Sequence, residues 1–329
     1  MLHTRLPNRN EAWDCSIFIE PAPVIHGVSG RGGLVIACGA DLFMLRPGAE
    51  QMLYRESFLD DGEMVVAAVE ARSPWRYAVA SNTMVAAFFK HEGEDSIVKL
   101  SATDEIPATH LAWGRSGDAT VLWIRWADGV VVRTTPDMTS VEVLDLGGID
   151  ALASDADGNV ALASLSSFDD GRCRVYRARG SSRLAFHDFD PDLPHPQPHP
   201  PSGHPMHLAI AGDAVAVSTD RGGVWLSRSQ DDPFVKCDHL RTAGPVEFDG
   251  PTSDANLFGV VVEESMGAIV RVEEDGGALR IAEFGHTKGG PLPRIAAISW
   301  DSTRQRLWVA SPEMGLFTCT DPTAKKSVS

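Results

Sequence analysis

The 329-residue sequence predicts an all-β fold, a seven-bladed β-propeller of four-stranded antiparallel blades, and three observations carry that expectation. Short β-rich runs with period-2 alternation dominate, each bounded by Gly, Asp, Asn or Pro. The runs recur in groups spaced by about 40–45 residues, the length of one propeller blade. No amphipathic stretch longer than two helical turns stands out, whereas an ordinary domain is about a third helix.

The groups open with inner strands near Ile25, Val65, Thr109, Ile149, Met206, Val246 and Arg294. They place blades near 24–60, 64–103, 108–147, 149–190, 206–243, 246–285 and 294–320 of a single domain spanning 1–329. The third shows the pattern best. His110 to Trp113 leads through a Gly-rich turn to Ala119–Trp126 (ATVLWIRW), and Asp128-Gly129 supplies a hairpin turn before Val130–Thr134 and Val141–Leu146. Trp123 and Trp126, three apart in one strand, point to opposite faces, so at least one is core.

The last group supplies only three strands before a polar tail at 321–329. Residues 12–20, containing Trp13–Ile19 (WDCSIFI), complete it if they pair with Leu316–Thr320. Without that pairing the ring keeps an exposed edge. The one long step between groups holds a Pro/His-rich extension at 188–205, whose prolines favour an extended polyproline II path.

Composition narrows the function classes. Apolar residues make up 43% and charged residues 22%, the balance of a globular chain. A formal charge of −16 disfavours nucleic acid and anionic membranes as partners, because phosphates are repelled. Cys15, Cys38, Cys173, Cys237 and Cys319 are odd in number and never in a CxxC pair, which fits neither a disulfide framework nor a zinc site. No apolar signal core opens the chain and no run is long enough to cross a bilayer, so a cytoplasmic location is expected.

Ser299-Trp300-Asp301 followed by Arg306 to Ala310 (RLWVA) resembles the bacterial WD40-like and YVTN-like propellers, and the architectural likeness extends over essentially the whole chain. The Gly-His and Trp-Asp pairs of true WD40 repeats do not recur, so their buried hydrogen-bond network is not implied. Propellers host many unrelated activities, and the resemblance assigns none.

Aligning the blades brings out a titratable position. The second residue of each inner strand is His26, Val66, His110, Asp150, His207, Glu247 and Ile295. His26, His110, Asp150, His207 and Glu247 would converge on the mouth of the central channel, either binding a metal or polar ligand or bonding only to neighbouring blades and water. A one-residue slip in register would send all of them to the other face. In the extension, His195, His199 and His204 are partner-binding candidates, with metal binding or an inert stiff loop as alternatives. Trp75 between Arg72 and Arg76 is an interface candidate, since Trp and Arg dominate binding energy, unless Trp75 caps the end of a blade.

Three weaker matches read as turns. Ser229–Phe234 resembles a partial Asp-box, Gly27–Gly33 lacks the Lys-Ser/Thr of a phosphate loop, and Asp155–Asn159 lacks the remaining acidic ligands of a calcium loop. Neither a Gly-x-Ser-x-Gly elbow nor a His-Glu-x-x-His helix is present. The expectation is therefore a non-enzymatic scaffold that needs no cofactor and binds a protein partner through its loop faces and extension. The alternative is a metal- or small-ligand-binding enzyme of lactonase or lyase type, working at the channel mouth.

Overall fold

Side chains that point alternately into two neighbouring blades leave no solvated face, so propeller strands read as continuous apolar runs. In the computed structural model every described regular element is a strand. Before residue 106 the described residues are those of the strands. Beyond it they are 106–116, 119–144, 147–165, 173–178, 202–221, 223–241, 243–263, 266–273, 276–285, 294–301, 304–311 and 315–320.

A short strand, β1 (Cys15–Ile17), precedes the first sheet of β2 (Ile25–His26), β3 (Leu34–Cys38), β4 (Asp41–Leu45) and β5 (Leu53–Arg55). The second comprises β6 (Met64–Val69), β7 (Tyr77–Ser81), β8 (Met84–His91) and β9 (Glu94–Ser101). The third comprises β10 (Ala108–Ser116), β11 (Ala119–Trp126), β12 (Val131–Thr134) and β13 (Val141–Leu144). The fourth has β14 (Ala151–Ser154), β15 (Val160–Leu165) and β16 (Cys173–Ala178). The fifth has β17 (Pro205–Ala211), β18 (Ala214–Thr219), β19 (Gly223–Ser227) and β20 (Val235–Lys236). The sixth has β21 (Val246–Phe248), β22 (Leu257–Glu263), β23 (Met266–Val272) and β24 (Ala278–Gly285). The seventh has β25 (Ala297–Asp301), β26 (Arg306–Ser311) and β27 (Gly315–Thr320).

Within each sheet consecutive strands pair antiparallel, and β1 adds to the outside of β27 with Cys15 opposite Cys319 and Ile17 opposite Phe317. The fold is a β-propeller with four-stranded antiparallel blades, but five blades are recognised rather than the seven expected. The first sheet has an inner strand of two residues, and the fourth sheet holds three strands among the described residues.

The core lies between sheets. Leu111, Trp113, Leu122 and Ile124 of the third sheet pack on Ala78, Ala80, Val85 and Ala87 of the second. Trp123 of the same strand joins Leu152, Val160 and Leu162 of the fourth. The same arrangement repeats between fourth and fifth, fifth and sixth, and sixth and seventh. Trp123 is fully buried in one of these cores and Trp126 packs partly buried against the other.

Turns link the sheets on one face. The Arg115 N–H donates to Gly158 O at 3.0 Å, joining the third sheet to the fourth. The Gly212 N–H donates to Asp155 Oδ2 at 2.9 Å, joining the fourth to the fifth. The Asp213 N–H donates to Ser253 Oγ at 2.9 Å, joining the fifth to the sixth. The remaining Asp155 acceptor capacity closes its own turn, taking the Asp157 and Asn159 N–H groups and the Asn159 side-chain amide. This Asp-rich loop is a staple between blades. The Ser229–Phe234 turn is structural too, since the Ser227 hydroxyl meets the carbonyls of Ser229 and Asp232.

Candidate functional site at the channel mouth

Three inner strands carry a bulge immediately before the position singled out in the sequence. Register shifts fall between Met64 and Val66, between Ala108 and His110, and between Pro205 and His207. A bulge sets two residues against one and re-aims the side chain that follows. It leaves His110 opposite Arg125 and His207 opposite Ser218. Asp150 lies one residue before β14, its N–H donating to Ala163 O.

His110 and His207 come from the third and fifth sheets, yet each is surrounded by protein while keeping part of its surface open. Burial pushes the His110 imidazole down to about 4, and the Arg125 and His207 charges push the same way. Burial also pushes His207 down to about 4, with Arg294 adding to it. At neutral pH both rings are therefore uncharged.

Thr109, the bulged residue, organises the third-sheet side. Its hydroxyl accepts from the Arg125 guanidinium, lies 3.3 Å from Arg125 O, and is 3.2 Å from His110 Nδ1. With the hydroxyl proton on Arg125 O, His110 donates through Nδ1–H and carries its lone pair on Nε2. The Arg125 Nε–H donates to Ile149 O at 2.6 Å, tying the third sheet to the fourth beside Asp150. Asp150 accepts the Leu165 N–H at 2.7 Å and lies 3.6 Å from His204 Nε2.

His204, a partner-binding candidate at the end of the extension, stands beside Asp150. Its backbone is clamped in both directions by Asp220: the His204 N–H donates to Asp220 Oδ1 at 2.7 Å, and the Asp220 N–H to His204 O at 3.0 Å. Gly203 makes the clamp possible, with φ of +98° and space so tight that a Cβ would fall 2.5 Å from Asp220 Oδ1. The clamp holds His204 next to Asp150.

Of the sequence candidates, the structure brings together His110, His207, Asp150 and His204. Glu247 sits part-exposed on β21 of the sixth sheet, opposite Phe258. His26 lies on β2 opposite Ala37. Arg72, Trp75, Arg76, His195 and His199 lie outside the described residues. Sequence reading missed Thr109, Arg125 and Arg294. Arg125 had a visible signal, as the basic residue inside an otherwise apolar core strand.

Among the described residues no three His, Cys, Asp or Glu side chains gather closely enough to hold a metal. Cys173 and Cys237 are buried thiols, the former pushed up to about 12 by burial and by the Asp150 charge and the latter raised by burial, which favours the protonated thiol. Away from the mouth, an open cavity of about 420 Å³ lies against β20, with Leu226, Val235 and Val272 as apolar lining and Arg228, Lys236 and Glu273 as polar lining. No described helix is long and apolar enough to cross a membrane.

No protein-family model and no curated protein matches the chain. Solved propellers of WD40 type resemble it along nearly its whole length. One is a chain of the crystal structure of the Mitotic Checkpoint Complex, with TM-score 0.61 and 11% identity over 97% of this chain and 94% of that one. Another comes from the crystal structure of BBS1N in complex with ARL6DN, with TM-score 0.55 and 12% identity over 91% of each. At such identities the likeness shows the fold alone.

Proposed function

We propose that this propeller is a non-enzymatic scaffold that binds a protein partner through its loop faces and the 188–205 extension, and that its seven sheets close into one seven-bladed ring. The observation that carries the binding role is a rigid frame with apolar side chains left on its outer strands. Val143 is 67% exposed and Val235, beside the 420 Å³ cavity, 62% exposed. Such residues outside a stapled core are what a partner surface requires. The two similar propellers come from crystal structures of complexes, which agrees with this use of the fold. The −16 charge favours a basic protein over nucleic acid or an anionic membrane, in the cytoplasm. Seven sheets and the pairing of β1 with β27 support the ring.

Affinity capture from the native extract tests the binding role, comparing the wild type with a chain whose residues 188–205 are replaced by Gly-Ser. A stoichiometric partner that the replacement weakens is expected. Recovery of no partner, even after crosslinking, contradicts the reading.

A second reading has its own support. Two buried, uncharged imidazoles, His110 and His207, lie in the field of Arg125 and of Arg294 respectively. That arrangement suits a small polar ligand. Histidine NMR resonances that respond to one member of a panel of small polar metabolites, and fail to in H110Q/H207Q, would establish it. An unresponsive panel leaves the scaffold alone.

A further inference from the structure

Outer strands of sheets expose unpaired backbone groups, and soluble proteins ordinarily protect them with charge. Charged residues here are Arg55 of β5, Glu94, Asp95 and Lys99 of β9, Arg174 and Arg177 of β16, Lys236 of β20, and Arg280 and Glu283 of β24. The three-residue closing strand β1 has none. β13 carries a single charge, Glu142, which pairs with the Arg133 guanidinium on the neighbouring strand.

Val141 and Val143 share one face of β13 and are 46% and 67% exposed. Their register partners on β12 are Thr134 and Val132, both buried, and Val132 belongs to the core between the second and third sheets. The two valines therefore extend an apolar sheet surface outward to an edge that no described strand covers. The ends of the strand are acidic. Asp137, exposed in the preceding turn, is held below the ordinary carboxylate range by hydrogen bonds from Thr135 and Thr139, and Asp145 follows in the sequence.

We infer that β13 takes up an extended segment of a partner protein as a fifth strand, with apolar residues at alternate positions covering Val141 and Val143 and basic residues at its flanks. Strand addition gives affinity through main-chain hydrogen bonds and specificity through alternate side chains. The acidic ends of β13 and the −16 chain select basic flanks over acidic ones. The inference rests on the scaffold reading and names the surface.

The probe is a synthetic ten-residue peptide with a Val-Thr-Val-Thr core between paired lysines, added to the full-length protein. Its controls replace the valines by Gly or the lysines by Glu. Hydrogen exchange read by mass spectrometry is expected to show protection of 141–144, with binding weakened about tenfold or more in Val143→Lys, roughly 1.4 kcal/mol. Val143 is exposed, so an unchanged melting temperature checks that this variant folds; Val143→Thr serves as the milder second variant. Absence of protection in the wild type, equal binding by the valine-free peptide, or equal binding by Val143→Lys overturns the inference. So does wild-type self-association lost in Val143→Lys, which would make a second copy the occupant. Each of these leaves the extract-capture result, and with it the scaffold reading, to stand or fall separately.

Discussion

His110 and His207 make acid stability a property of two side chains. Both have folded values near 4, below the ordinary 6.5 that an unfolded chain restores. Between about pH 6.5 and 4 the unfolded state therefore binds more protons, and stability falls as pH falls through that window, by at most roughly 1.4 kcal/mol per unit for each ring. Above it the two histidines contribute no pH dependence. The H110Q/H207Q variant should flatten the decline of melting temperature across the window. An unchanged slope would mean that neither ring is held neutral by its surroundings. Asp155 acts at the same scale. Asp155→Ala removes an acceptor used by four N–H donors, one of them Gly212 of the next sheet, and should lower stability by about 2 kcal/mol in urea unfolding. An unaltered midpoint would contradict its role as a staple.

At the scale of elements, the third sheet shows how a turn fixes the relation of two blades. Gly129 adopts φ of +86° in the Asp-Gly hairpin turn and lies against Gly148, where a Cβ would come within 2.9 Å of the Gly148 Cα. Its carbonyl accepts the Ile149 N–H at 3.0 Å, at the entry to the fourth sheet. Gly129→Ala adds backbone strain and a contact with main chain that cannot swing aside. A loss of about 1–3 kcal/mol is expected from denaturant unfolding, and a neutral result would mean that the two turns move apart freely. The turn itself was legible, because Asp-Gly between apolar runs has one common geometry. So was β11, whose limits of Ala119 and Trp126 are those of its apolar run. The bulges before His110 and His207 were not legible, since nothing in Ala108-Thr109-His110 distinguishes a bulge from regular alternation. Arg125 was passed over for a related reason, since it acquires its place from Ile149, a partner remote in sequence.

For the whole molecule, the repeat fixed the order of the groups but overstated their regularity. Spacing alone predicts equal blades, whereas β2 spans two residues and the fourth sheet has three described strands. Closure is the feature on which the proposed ring depends, because the pairing of β1 with β27 completes the seventh sheet. The deciding measurement is thermal unfolding of a chain lacking residues 1–20, followed alongside by hydrogen exchange of the β27 amides. The closed ring predicts a lower melting temperature for the entire domain in one transition, with exchange accelerated at Gly315–Thr320. Melting and exchange identical to those of the full chain would contradict it.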